Sequence, residues 1–134
     1  MNAITRRAAA VFLALHGLVH VMGFAAAWQV ATLPEISYRT TALNGALEIG
    51  EASARLLGIG WLVAACAFLV VAWGAWRARP WGLRATVLGA TVSLVVCVLG
   101  LPDAYRGVAI DVAILVGAAT LMLGRSVRSR SPVR

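Results

Sequence analysis

Four apolar runs, each about as long as a bilayer is thick, dominate this chain. They cover roughly Ala8–Trp28, Leu56–Trp76, Trp81–Leu101 and Tyr105–Gly124. A membrane-crossing helix needs about 20 mostly apolar residues. Every backbone polar group in lipid must also be satisfied within the segment or in a closed barrel. Four such runs in 134 residues leave almost nothing for a separate soluble domain. The expected fold is therefore an all-α membrane protein, a single domain over residues 1–124 forming a four-helix bundle. Composition agrees. The chain is 61% hydrophobic and only 13% charged, where a soluble domain is about half apolar and a quarter charged. Its mean hydropathy is +0.86.

The net charge of +7 does not indicate nucleic-acid binding. All 12 basic residues are arginine, and they gather at the ends of the apolar runs. Arg6 and Arg7 precede the first run, Arg77, Arg79 and Arg84 crowd the second connection, and Arg125, Arg128, Arg130 and Arg134 fill the tail. The first and third connections hold only Arg39 and Arg106. Cytoplasmic loops carry the excess of basic residues, so both termini are expected inside and the helices antiparallel. Trp73, Trp76 and Trp81 would mark the inner interface, and Trp28, Tyr38 and Tyr105 the outer one. The abundance of Ala, Gly and Arg without lysine suggests a GC-rich bacterial genome, hence the bacterial cytoplasmic membrane. The first run resembles a signal peptide in its charged start, but its apolar stretch is longer than a signal core and contains two histidines.

Local patterns refine the boundaries. The second helix is expected to begin near residue 46, ahead of its apolar run, and so to project beyond the outer face. The connection from Gln29 to Asn44 is the longest, and is expected to cap the outer mouth with a short interfacial helix. The Arg/Ser-rich tail from Arg125 is expected to be disordered. Cys66 and Cys97 each lie within an apolar run and far apart in depth, so they read as two small buried residues rather than a disulfide.

Polar chemistry is strongly asymmetric. All five acids, Glu35, Glu48, Glu51, Asp103 and Asp111, fall on the expected outer half. Both histidines, His16 and His20, lie one helical turn apart in the first span and share a face that Gly23 continues. Glu48, Glu51, Arg55 and Gly58 align on the second helix, Gly89, Ser93, Cys97 and Gly100 on the third, and Gly107, Asp111 and Ala118 on the fourth. Such small or polar stripes face neighbouring helices rather than lipid. An ionisable group at membrane depth costs about 2.5–3.5 kcal/mol on insertion scales, which makes Asp111 a functional candidate by default. Its ordinary alternative is a buried pairing with Arg55, Arg106 or His20. Glu48 and Glu51 read equally as solvated acids near a helix N-terminus, and Asp103 as a turn residue after Pro102.

The spacing HxxxH fits two metal ligands on one helix face. A third ligand would come from Glu48, Glu51 or Asp111. Two histidines on the same face cannot sandwich one haem, so a haem would need one of them and a further partner. The ordinary reading is hydrogen bonding within the bundle.

The stretch Leu15-His16-Gly17-Leu18-Val19-His20-Val21-Met22-Gly23-Phe24 resembles a pattern, HGLxHxxGF, that opens small bacterial four-helix membrane proteins. In span count and size the chain is similar to the DoxX-like group. These resemblances imply no reaction. They single out His16, Gly17, His20 and Gly23.

Three functions compete. The first is an outward pocket of His16, His20, Glu48, Glu51, Arg55 and Asp111 that binds a small amphiphile, such as a quinone, isoprenoid or lipid headgroup, on its own or as an accessory subunit. The second is a redox enzyme with a metal ion or haem at His16 and His20. The third is a structural subunit of a homo-oligomer or larger membrane complex. No phosphate-binding loop, nucleophile elbow or paired loop cysteines point elsewhere.

Overall fold

The computed structural model describes residues 2–34 and 36–130, with backbone alone for 125–130. Glu35 and the last four tail positions, Arg134 among them, lie outside the described residues. Four long helices account for most of the chain: α1 (Ala3–Ala27), α2 (Gly50–Trp76), α3 (Gly82–Leu99) and α4 (Tyr105–Arg130). Each is long and apolar enough to cross a membrane.

Local chemistry sets the ends. Asn2 caps α1, its side chain accepting from the Thr5 backbone N–H at 2.8 Å, which satisfies one of the orphan donors of a first turn. Gln29 and Ala78, at φ 53° and 52°, end α1 and α2. The next residues turn back, Val30 N–H to Ala25 C=O and Arg79 N–H to Gly74 C=O, both at 2.9 Å. This is the left-handed cap that satisfies terminal carbonyls.

Packing runs α1 on α2, α2 on α3 and α3 on α4. The faces that meet are small or polar. On α1 they are Ala10, Leu13, His16, Gly17, His20, Gly23 and Ala26, while the large residues Phe12, Leu15, Leu18 and Val19 point outward. This arrangement, with bulk outside and small residues inside, suits a hydrocarbon solvent, where close backbone approach replaces the hydrophobic drive. Gly17 shows the closeness. A Cβ there would lie 2.7 Å from Phe68 Cβ and 3.2 Å from the Ala65 carbonyl oxygen. Below the site, Leu13, Phe68, Val71, Ala72 and Ala90 form the apolar core.

Four local expectations are corrected. Helix α2 begins at Gly50, not near residue 46, because residues 41–48 form an antiparallel hairpin, β1 (Thr41–Ala42) with β2 (Leu47–Glu48). Its turn places Leu43, Asn44 and Gly45 at φ 52°, 57° and 82°. No helical turn can pass through that conformation. The hairpin also stands where an interfacial helix was expected, and the described part of the 29–49 connection contains no helix. It is tied to the end of α3 by backbone bonds from Leu43 N–H to Leu99 C=O and from Asn44 N–H to Leu101 C=O, at 3.1 and 3.0 Å. The tail expected to be disordered from Arg125 instead continues α4 to Arg130, since arginine is a good helix former and extension of an existing helix is cheap. Both cysteines are free, with Cys97 buried and Cys66 exposed on the outer surface of α2 rather than buried.

The end opposite the hairpin carries an arginine–tryptophan cluster. The Arg7 guanidinium lies over the Trp76 ring and that of Arg79 over Trp73, each at 5.4 Å. Trp73 and Trp81 stack at 6.1 Å between ring centroids.

Candidate functional site

The site grows from the two-turn face of α1 that carries His16 and His20. His20 sits one turn after His16, so its ring reaches back along the helix. Its Nδ1–H donates to the His16 carbonyl oxygen at 2.8 Å. A carbonyl can only accept, so Nδ1 carries the proton and Nε2 faces inward. There it meets Ser93 Oγ of α3 at 2.5 Å. Ser93 Oγ also lies 2.6 Å from Asp111 Oδ2 of α4 and donates to it. The other carboxylate oxygen, Oδ1, is 2.9 Å from His16 Nε2. Three helices thus contribute to one closed polar chain, His20–Ser93–Asp111–His16.

The cluster is buried. His16 is 6% exposed, His20 1%, and Ser93 and Asp111 0%. Aromatic rings wall it in. Phe68 of α2 lies edge-on to His16 at 4.8 Å, and Trp61 lies 5.4 Å from His20. Gly23 makes room for the Trp61 indole, which fills the place that a side chain would take.

Three contacts join His20 Nε2 to His16 Nε2 through Ser93 and Asp111. With an ionised carboxylate and neutral rings, Ser93 and His16 supply two protons. The remaining pair, His20 Nε2 and Ser93 Oγ, then presents lone pairs to each other.

Above the cluster, on the hairpin side, lies a cavity of about 360 Å³. Leu57, Trp61 and Ile110 contribute apolar walls, and His16 and His20 form its polar end. Arg39, Asp103 and Arg106 stand at the other end. There Asp103 binds the long connection, accepting from Arg39 Nη2 at 3.1 Å and from the Ser37 backbone N–H at 3.2 Å. Asp103 is thus more than a turn residue.

Of the six residues expected to form the pocket, the structure brings three together: His16, His20 and Asp111. The other three stand apart. Glu48 is exposed on β2, off the helical stripe assigned to it. Glu51 and Arg55 pair with each other at 2.6 Å on an exposed face of α2, with side chains 61% and 52% exposed. Arg55 also lies over the Trp28 ring at 5.9 Å. The reason is the hairpin, which starts α2 late and turns its first residues outward. Asp111 pairs with His16 and Ser93 rather than with Arg55 or Arg106, and reaches His20 only through Ser93. Ser93 was visible as part of the polar stripe on α3, but nothing in its spacing marked it as the link. No protein-family model matches this chain, and no curated protein or solved structure matches it either.

Proposed function

We propose that this is a multi-pass protein of the bacterial cytoplasmic membrane that holds a small amphiphile in its cavity, on its own or as an accessory subunit of a membrane complex. In this reading the helices are antiparallel, both termini are cytoplasmic, and the hairpin end faces outward. The arginine distribution supports that orientation, as does the arginine–tryptophan cluster at the opposite end.

The observation that carries the proposal is the cavity, about 360 Å³ with apolar walls and two buried histidines at one end. Its volume falls in the range of about 300–1,000 Å³ common to small-molecule sites. A few convergent polar groups in an apolar pocket orient a ligand rather than bind its bulk. The fitting ligand has a compact hydroxyl- or carbonyl-bearing head and a short apolar body, as quinones and isoprenoid alcohols do. The head would bond His16, since both ring nitrogens of His20 are already engaged within the cluster.

Native mass spectrometry of the detergent-purified protein tests this. The expected result is a bound apolar molecule of defined mass, lost in a Leu57→Trp variant that fills the cavity. A protein that carries no adduct and takes up neither a short-chain quinone nor an isoprenoid alcohol would leave the structural-subunit reading in its place.

A further inference from the structure

We propose that His16, His20 and Asp111 form a binding site for one divalent first-row cation of the zinc type. The inference rests on the side chains themselves and does not depend on the amphiphile.

Three features support it. The potential ligand atoms, one from each residue, all lie within 4.8 Å of one another, and all three residues are buried. His20 is held in the tautomer a metal needs, since its Nδ1–H is committed to the His16 carbonyl and the Nε2 lone pair is aimed into the cluster. Donation of the second ring N–H to a carbonyl is the usual orientation of a metal-bound histidine. Ser93 holds Asp111 through Oδ2, which leaves Oδ1 as the ligand atom and makes Ser93 a positioning residue.

The donor set of two imidazoles and one carboxylate suits zinc and its neighbours rather than calcium or magnesium, which take oxygen ligands. Zinc–ligand bonds of about 2.0–2.2 Å would draw the three atoms together. His20 Nε2 would leave Ser93 Oγ, the His16 proton would pass from Nε2 to Nδ1, and the Oδ1–His16 contact would open around the ion. Three protein ligands leave a fourth position free, and here the cavity lined by both histidines provides the approach to it.

The test uses the full chain without an affinity tag, purified in detergent, stripped with a chelator and titrated with Co²⁺. Visible absorption of a four-coordinate ion reads occupancy, and Zn²⁺ displacement reads competition. The expected result is about one ion per chain. His20→Ala and Asp111→Asn should abolish the absorption, while Ser93→Ala should weaken affinity by about 10–100-fold, as loss of a supporting partner does. Cys66→Ser, on the exposed face of α2, should leave the spectrum unchanged. Helical circular dichroism and monodispersity check that each variant is folded. Folded wild-type protein that takes up no Co²⁺ overturns the proposal, and so does undiminished uptake by folded His20→Ala. The wild-type titration decides the matter even if a variant fails to fold.

Discussion

Ser93 is the residue on which the polar cluster turns. It alone touches both His20 and Asp111, and it has no exposed surface. Ser93→Ala strands a carboxylate oxygen, at a cost of about 1–3 kcal/mol when buried without a partner. We expect the midpoint of detergent-induced unfolding to fall clearly below that of the wild type. Asp111→Ala should be at least as damaging, because it frees His16 and Ser93 together. The direct pair is a different matter. Interhelical hydrogen bonds in membrane proteins average only about 0.6 kcal/mol in double-mutant cycles. A cycle on His16 and Asp111 should therefore return a coupling near 1 kcal/mol or less, well under the cost of either deletion. Much of that cost is the stranded partner, not the lost bond. At this scale the sequence was informative about His16, His20 and Asp111, whose chemistry is conspicuous in an apolar run. Serine is tolerated inside membrane helices without notice, so Ser93 carried no comparable signal.

At the scale of the helix, close approach is the controlling feature. Gly17 lies against Phe68 Cβ and the Ala65 carbonyl, and neither atom can move without shifting α2. Gly17→Ala should push α1 away from α2 and lower stability by about 1–3 kcal/mol, the usual cost of overpacking. Gly117, on α4, is open by contrast, with nothing within 4 Å of where a Cβ would stand. Gly117→Ala should be neutral or stabilising by up to about 1 kcal/mol through helix propensity, and the two unfolding curves in one detergent make the comparison. The connection over the cavity is held differently. Its Arg39–Asp103 pair is partly exposed, with side chains 42% and 18% accessible, and such pairs contribute about 0–1 kcal/mol. Arg39→Ala should therefore barely change the unfolding midpoint, the hairpin's backbone bonds to α3 remaining in place. The helices were legible because their length and hydropathy are properties of contiguous residues. The start of α2 was not. The run from Ala46 to Arg55 has a helical pattern, but Leu43, Asn44 and Gly45 adopt left-handed conformations that a pattern of polarity does not report.

For the whole molecule, the proposed orientation can be read directly. In a background without Cys66 and Cys97, a cysteine at Ala46 in the hairpin should react with a membrane-impermeant maleimide in intact cells. One at Arg79 should react only after the membrane is opened. The reverse pattern would invert the bundle and direct the cavity to the cytoplasm. The amino-acid sequence by itself determined that the chain consists of four apolar helices, because in lipid a backbone must satisfy its own hydrogen bonds and about 20 apolar residues leave no other choice. It also determined which side chains are expensive at membrane depth. Only the tertiary structure decided which of them meet. Partner choice depends on the rotation of α1, α3 and α4 about their axes and on the late start of α2, and both are set by packing between residues 73 to 95 positions apart, as the bonds from His20 to Ser93 and from His16 to Asp111 show. That packing enclosed His16, His20, Ser93 and Asp111 in one cluster and left Glu48, Glu51 and Arg55 outside it.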